Sequence, residues 1–182
     1  MLGDSLSAAH GIRVEQGWVA LLQARLLAKG YKQQVVNASV SGETTGGGLT
    51  RLPRALDLHA PAIVIVELGG NDGLRGLPVG DIRANLDAIV TRSQHAGARI
   101  LLVGMRIPPN YGPVYTRGFD QVYTDVARQR RLALVPFFLD GVALDDRLMQ
   151  PDGIHPTAAA QPRLLDTVWK VLEPMLKQAD RG

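Results

Sequence analysis

Short runs rich in apolar residues alternate with amphipathic helical patterns, and this alternation constrains the fold more than any other feature. Four runs, at residues 34–37, 62–66, 100–103 and 132–135, are predicted to be strands. Continuous apolar runs are typical of strands buried on both faces, as in parallel sheets. Helical spacing links four sets of apolar side chains: Trp18, Leu21, Leu22 and Leu26; Ile82, Leu86, Ile89 and Val90; Phe119, Val122, Tyr123 and Val126; and Leu164, Leu165, Val168 and Leu172. The alternation predicts an α/β chain with a parallel sheet between helical layers.

Length and composition limit the classes of protein to which the chain can belong. Its 182 residues, with no repeat or linker, predict a single domain over 1–182. The absence of cysteine excludes disulfides and thiolate metal sites. A formal net charge of +3 hints at a nucleic-acid or membrane partner, but the cluster Arg128, Arg130 and Arg131 is interpreted as a solvated helix end. No apolar run matches a membrane span and no aromatic residues interleave the basic ones, so we expect neither nucleic-acid binding nor membrane insertion.

Two segments carry residues suited to be a nucleophile and its base. Near the start, Gly3 permits a tight turn and Ser5 stands at a strand-to-helix junction, which exposes a serine hydroxyl. Near the end, Asp152 precedes His155 by a spacing that lets a carboxylate hold an imidazole in the tautomer a triad needs. Each segment has an ordinary alternative: a helix N-cap at Ser5 and a surface Asp-Gly turn at Asp152. No second histidine or cysteine is placed beside His155, so a metal site is not expected.

Two further segments place hydrogen-bond donors after predicted strands. Gly42 follows the strand at 34–37 and would let the backbone approach a substrate and offer its N–H. Asn71 follows the strand at 62–66 and can present a side-chain amide to a developing oxyanion. In isolation, each segment is also typical of an ordinary turn. Together the four segments supply a nucleophile, a base and oxyanion donors at the strand ends where open α/β sheets bind ligands.

In order along the chain, the four segments resemble the signature blocks of the SGNH/GDSL hydrolase superfamily. The blocks are named for Ser, Gly, Asn and His, which are here Ser5, Gly42, Asn71 and His155. Supporting stretches lie at 66–76, 106–112 and 149–156, and the resemblance is closest to the bacterial multifunctional branch of thioesterase I, lysophospholipase and arylesterase. The resemblance implies a flavodoxin-like three-layer α/β/α sandwich. The chain has no Gly-x-Ser-x-Gly elbow, which disfavours the common α/β-hydrolase architecture.

The resemblance also implies a role for each residue. Ser5 attacks an acyl carbonyl, His155 takes its proton and Asp152 orients His155. The backbone N–H groups of Ser5 and Gly42, with the Asn71 side chain, bind the oxyanion. An acyl-enzyme forms and water releases the acid, so no metal or organic cofactor is expected.

The expected substrate is a small-molecule acyl ester or thioester. Residues 73–79 and 106–115 are rich in glycine and proline and are predicted to form the walls of an acyl groove. Residues in or beside these segments and the signature blocks are expected to contact substrate: Asp4, Leu6, Asp72, Leu74, Arg106, Ile107 and Ile154.

Three alternatives are open from the sequence. A carbohydrate acetylesterase of the same superfamily is disfavoured because aromatic residues, which form sugar platforms, make up only 5 % of the chain. A binding domain could keep the fold without catalysis. A flavodoxin-like nucleotide or flavin binder could use Gly46, Gly47 and Gly48 as a phosphate loop, but that run lacks the Gly-Lys-Ser/Thr ending of a P-loop.

The first signature block departs from the family in two ways. Only Met1 and Leu2 precede the Gly-Asp-Ser turn, so the first strand is predicted to be truncated. Residues 8–11 read Ala-Ala-His-Gly, where close relatives tend to have Ala-Gly-aromatic. No signal peptide is visible, yet such relatives are commonly exported, so we expect a chain trimmed from a longer periplasmic or secreted protein.

Overall fold

A computed structural model describes residues 1–179 and places a parallel sheet at the centre of the molecule. The strands are β1 (Leu2–Gly3), β2 (Ile63–Glu67), β3 (Arg99–Val103) and β4 (Ala133–Val135), in the order β1-β2-β3-β4. In the register, Val66 lies opposite Leu2 and Leu102, and Leu102 lies opposite Leu134. The strands predicted at 62–66, 100–103 and 132–135 are therefore confirmed.

Helices cover both faces of this sheet. They are α1 (Trp18–Ala28), α2 (Thr45–His59), α3 (Gly70–Leu74), α4 (Val79–His95), α5 (Pro113–Arg130) and α6 (Gln161–Ala179), with short 3-10 turns at Val14–Gln16, Pro109–Tyr111 and Ala158–Ala160. Helix α1 packs against α6, whereas α4 packs against α2 and α5. The result is the predicted three-layer α/β/α arrangement with a central parallel sheet.

The predicted helical faces form the hydrophobic core. Of the side chains grouped by helical spacing, all but Leu21 are buried, and those of α4 have no exposed surface. Burying one leucine or isoleucine side chain contributes roughly 1.5–3 kcal/mol, so packing holds these helices on the sheet. Among the helices of residues 1–179, none has an apolar span long enough to cross a bilayer.

The strand predicted at 34–37 is wrong, because this segment belongs to no strand. Its continuation lies beside β1, where the N–H of Ala38 donates to the carbonyl of Met1 at 2.9 Å. Strand β1 has only two residues, so the hydrogen-bonded pairing beside it is short. The N–H of Val35 donates instead to the side-chain oxygen of Gln23 at 2.7 Å.

Helix α2 has no counterpart in the sequence predictions, because glycine at 46–48 and Pro53 both disfavour helix. Thr44 caps the helix by accepting a backbone N–H of the first turn at 3.1 Å. A Cβ on Gly48 would lie 2.4 Å from Leu68 Cδ1, so the missing side chain lets α2 approach the sheet closely. The glycine run is therefore part of a packed helix rather than a phosphate loop.

A cavity of about 300 Å³ lies at the amino ends of the strands. Its lining includes Leu22, Val36, Ile63, Arg99 and Leu172. None of the residues predicted for the functional site lines it, because those residues follow the carboxyl ends of the strands.

Candidate active site

A tight turn after β1 positions Ser5. The carbonyl of Asp4 accepts the N–H groups of Ser7 at 3.3 Å and Ala8 at 2.9 Å. The Asp4 carboxyl, through Oδ1, accepts the N–H of Leu6 at 3.0 Å. The turn is thus held on both sides of Ser5, which is 8 % exposed.

The side chains of Ser5, His155 and Asp152 form a continuous hydrogen-bonded series. Ser5 Oγ lies 2.8 Å from His155 Nε2, and His155 Nδ1 lies 2.7 Å from Asp152 Oδ2. An ionised carboxylate only accepts, so Nδ1 carries the proton and Nε2 accepts from the Ser5 hydroxyl. In this arrangement an imidazole can act as a general base toward serine. The fold thus joins two residues that are 150 positions apart in the sequence.

The loop around Asp152 keeps its carboxylate ionised and aimed at the imidazole. Oδ1 accepts the N–H of His155 at 3.0 Å and that of Ile154 at 2.9 Å. The N–H of His155, followed by its imidazole and the N–H of Ile154, holds the pKa of Asp152 well below its usual range. Gly153 has a φ of 67°, the left-handed conformation that this bend requires.

The three predicted oxyanion donors lie on segments that hydrogen-bond to one another. Asn71 lies in α3, directly after β2, and its Nδ2 donates to Asp4 Oδ2 at 3.1 Å and to the carbonyl of Glu43 at 2.9 Å. Asp4 precedes Ser5 in the turn, and Glu43 follows Gly42, which adopts a φ of 78°. The amide therefore ties the Ser5 turn to the Gly42 loop.

Two of these donors have N–H groups that remain available. Among residues 1–179, the backbone N–H groups of Ser5 and Gly42 donate to no protein acceptor. Arg75 Nη2 donates to the carbonyl of Gly42 at 3.0 Å, which steadies that loop. Unpaired N–H groups suit the binding of a negatively charged oxygen, whereas both hydrogens of the Asn71 amide are already donated within the protein.

The residues predicted to contact substrate differ in exposure. Asp4 and Leu6 are buried in the turn, with Asp4 only 2 % exposed. Asp72 is also buried, and its two oxygens accept the N–H of Thr45 at 2.9 Å and the Thr45 hydroxyl at 2.5 Å. Asp72 thus anchors the start of α2, and this placement does not support a substrate contact.

The remaining predicted contacts range from buried to exposed. Ile154 is 45 % exposed and precedes His155. Ile107 is buried against Gly73, where a Cβ would lie 2.6 Å from its Cγ2. Leu74 is half-buried. Arg106 is exposed, with its guanidinium 4.8 Å from the centre of the Phe137 ring.

The two predicted groove walls are hydrogen-bonded to each other. The hydroxyl of Tyr111 donates to the carbonyl of Leu74 at 2.7 Å, and that of Tyr115 donates to the carbonyl of Leu77 at 2.6 Å. The tyrosines belong to one wall and the leucines to the other, so the two segments are held side by side.

Sequence reasoning assigned no role to Glu67, which has no exposed surface and lies at the site. Its Oε2 accepts from the Ser7 hydroxyl at 2.7 Å, and Ser7 Oγ accepts from the Trp18 indole at 3.2 Å. Burial, and then the neighbouring Asp4, raises the pKa of Glu67 well above its usual range. The available signal was a carboxylate at the end of an otherwise apolar strand.

His10, which belongs to the segment at 8–11 that departs from the family pattern, stacks on His155. The ring centres are 4.3 Å apart, with an angle of 35° between the planes. Gln150 donates to the carbonyl of His10 at 2.8 Å, which connects the Ser5 segment to the loop that carries His155.

Comparison with known proteins places this geometry among ester hydrolases. A profile of the GDSL-like lipase/acylhydrolase family matches residues 1–162. Esterase TesA of Pseudomonas aeruginosa is 54 % identical over 176 residues, which cover 97 % of this chain and 88 % of that protein. Thioesterase 1/protease 1/lysophospholipase L1 of Escherichia coli (strain K12) is 43 % identical over 176 residues, covering 97 % of this chain and 83 % of that protein.

A solved structure gives the same result for the fold. The crystal structure of the psychrotrophic esterase EstA from Pseudoalteromonas sp., inhibited by monoethylphosphonate, superimposes with a TM-score of 0.93. Its sequence is 43 % identical, and the match covers 97 % of this chain and 96 % of that one.

Proposed function

The chain belongs to the GDSL-like lipase/acylhydrolase family and is a carboxylic ester hydrolase, and we propose that it cleaves acyl esters and thioesters through an acyl-enzyme on Ser5. The observation that carries this proposal is the series in which His155 lies 2.8 Å from Ser5 and 2.7 Å from Asp152. A serine hydroxyl is a weak nucleophile unless a base is adjacent to it. In this site the base, His155, contacts the Ser5 hydroxyl and is itself oriented by Asp152.

In the first half-reaction, Ser5 Oγ attacks the acyl carbonyl carbon while His155 Nε2 takes the hydroxyl proton. The carbonyl oxygen becomes an oxyanion, and we propose that the N–H groups of Ser5 and Gly42 bind it together with the Asn71 amide. The amide then exchanges one of its two hydrogen bonds within the protein for one to the oxyanion. The tetrahedral intermediate then collapses. The bond to the alcohol or thiol breaks, and that leaving group receives the proton held by His155.

In the second half-reaction, water replaces the departed alcohol or thiol. His155 takes a proton from the water, whose oxygen attacks the carbonyl of the acyl-Ser5 ester. Collapse of the second intermediate returns the proton to Ser5 Oγ and releases the acid. Asp152 stays ionised throughout and stabilises the imidazolium that forms in each half-reaction.

The relatives support the proposed substrate class. The Pseudomonas aeruginosa relative is named an esterase, and the Escherichia coli relative is named a thioesterase and a lysophospholipase. Apolar side chains of this chain, Leu74, Ile107 and Ile154, belong to the predicted groove walls and to the His155 loop. We propose that they contact the acyl chain.

Hydrolysis of p-nitrophenyl esters from acetate to palmitate, and of matching acyl-coenzyme A thioesters, tests the proposal. Ser5→Ala is compared with Ser93→Ala, which makes the same chemical change at a buried helical hydroxyl that has no hydrogen-bond partner among the described residues. We expect Ser5→Ala to lose on the order of 10⁴-fold or more in kcat. We expect Ser93→Ala to retain the parent rate.

Each result has a distinct meaning. Full activity in Ser5→Ala would overturn the assignment of the nucleophile. No activity in the folded parent would favour the non-catalytic binding domain. Equal rates for every acyl length would argue against a groove, whereas a defined optimum would report its length.

A further inference from the structure

Two carboxyl groups lie together beneath the Ser5 turn, shielded from water. Asp4 is almost fully buried and Glu67 completely so. The N–H of Asp4 lies 3.4 Å from Glu67 Oε2, and the two carboxyl groups are close enough that each shifts the pKa of the other. Within residues 1–179, neither carboxyl takes part in an ion pair. Two adjacent buried carboxylates without a cation cannot both ionise at low cost.

The distribution of donors shows which carboxyl keeps a proton. Asp4 accepts on both oxygens, from the N–H of Leu6 at 3.0 Å and from the Asn71 amide at 3.1 Å. Glu67 accepts the Ser7 hydroxyl on Oε2, but its Oε1 is buried and has no partner among the described residues. In a carboxylic acid one oxygen carries the proton, and an oxygen that accepts no hydrogen bond is the one suited to carry it. Glu67 is therefore the acid and Asp4 the carboxylate.

The electrostatics agree with one shared proton. Burial raises the pKa of Glu67 well above its usual range, and Asp4 raises it further. Burial also raises the pKa of Asp4, to about 6, although the N–H of Leu6 opposes that rise. Such a pair loses its protons in two steps that belong to the pair as a whole.

The groups that face the pair do not neutralise a second negative charge. His155, in its loop, acts on Asp4, and Tyr123, in α5, is close to both carboxyls and to Asp72 of α3. Arg51, in α2, donates to the carbonyl of Gly3, the residue before Asp4. Arg51 is already paired with Glu43 at 2.5 Å. The Asp4–Glu67 pair therefore needs one proton to avoid a second buried negative charge.

We infer that Glu67 is a positioning residue of the acyl-transfer site: its carboxylic acid donates a hydrogen bond to the Asp4 carboxylate and thereby fixes the Ser5 turn and the Asn71 amide. Asp4 transmits the effect because one oxygen holds the turn and the other holds the amide. The inference rests on the proposed roles of Ser5 and Asn71.

Loss of the shared proton places two negative charges in contact in the protein interior. Their repulsion moves Asp4, and with it the Ser5 turn and the Asn71 amide. These groups act on the transition state, so kcat falls as the pH rises through the second ionisation of the pair, while KM changes little.

Glu67→Gln separates the effect of the proton on Glu67 from the effect of the shape of its side chain. A glutamine can accept from Ser7 and donate to Asp4, as the acid does, but it stays neutral at every pH. We expect kcat within about threefold of the parent at neutral pH, and no loss at alkaline pH where the parent declines. Glu67→Ala should lose about tenfold or more in kcat at all pH values, a fraction of the effect of deleting an oxyanion donor.

Glu173→Gln on α6 is the matched control, since among the described residues Glu173 pairs with Lys29, at the end of α1, and with Lys177 of its own helix. It should keep the parent pH profile. A folded Glu67→Gln with the low kcat of Glu67→Ala would overturn the inference, because it would show that an ionised glutamate is required. A Glu67→Gln profile that declines at alkaline pH as the parent does would overturn it as well.

Carboxyl ¹³C NMR of the glutamate-labelled protein tests the proton directly and does not depend on activity. The chain has four glutamates. We expect one signal, missing from Glu67→Gln or, if that variant does not fold, from Glu67→Ala, to keep the shift of a protonated acid at neutral pH. If all four signals have the shift of an ionised carboxylate, the inference fails, even if Ser5→Ala has already established the nucleophile.

Discussion

Replacing Asp152 by asparagine tests whether a carboxylate is needed to orient the imidazole. The amide oxygen can still accept the N–H groups of Ile154 and His155, which lie 2.9 and 3.0 Å from Oδ1. The amide nitrogen then replaces Oδ2, 2.7 Å from His155 Nδ1, and donates to it. His155 must therefore carry its proton on Nε2, where it can no longer accept from Ser5.

This change of tautomer sets the size of the expected effect. A serine triad with the wrong tautomer loses about 10⁴-fold in kcat. At about 1.4 kcal/mol for each factor of ten, the barrier rises by about 5 kcal/mol. The backbone bonds that shape the loop survive, so the loss reflects chemistry and not unfolding. KM should change little, because Asp152 faces His155 and its own loop.

The assay is kcat and KM for p-nitrophenyl butyrate with the parent, Asp152→Asn and Asp145→Asn. Asp145 also accepts backbone and side-chain donors in a loop, but its partner is Arg147, at 2.8 Å. Thermal melts show whether each variant is folded. A kcat for Asp152→Asn within tenfold of the parent would refute the orienting role. An equal loss in Asp145→Asn would show that the effect is not specific to the triad.

Three further predictions concern the surroundings of the triad. Asn71→Ala should lower kcat by about 10²-fold or more, with KM within about twofold, because the amide acts on the oxyanion; a rise in KM alone would contradict this. Glu67 has a folded-state pKa above its ordinary 4.5, so the parent should lose stability as the pH rises above about 4.5, by up to about 1.4 kcal/mol per pH unit. Urea unfolding across acidic to neutral pH should show a smaller slope for Glu67→Gln, and equal slopes would refute the assignment. Gly73→Ala would place a Cβ 2.6 Å from Ile107 and 2.7 Å from Phe119, so overpacking should destabilise the protein by about 1–3 kcal/mol; an unchanged Tm would contradict this.

Much of the fold follows from local sequence because packing and pattern agree there. Strands β2 to β4 are continuous apolar runs, and α4 to α6 carry regular buried faces. Predictions from the local sequence pattern were wrong or missing where tertiary contacts determine the secondary structure. The Val36 carbonyl accepts from the Met1 amino group at 2.7 Å, but residues 34–37 do not extend this pairing into a strand. Helix α2 forms despite three glycines because Gly48 packs against Leu68.

The candidate site could be named from the sequence because its residues occur in motifs with recognisable order and spacing. The motifs could not show that Asn71 is shared between Asp4 and the Gly42 loop, since that contact joins distant segments. They also gave no role to Glu67, whose importance depends on its burial beside Asp4. Burial and proton sharing arise only from the three-dimensional arrangement.

Trapping of the acyl-enzyme tests the central claim most directly. The protein is mixed with excess p-nitrophenyl butyrate, quenched in acid and digested, and the modified peptide is identified by mass spectrometry. The account predicts one butyryl group on Ser5, and none in Ser5→Ala. A butyryl group on another residue of the active parent, or turnover by Ser5→Ala at the parent rate, would contradict it.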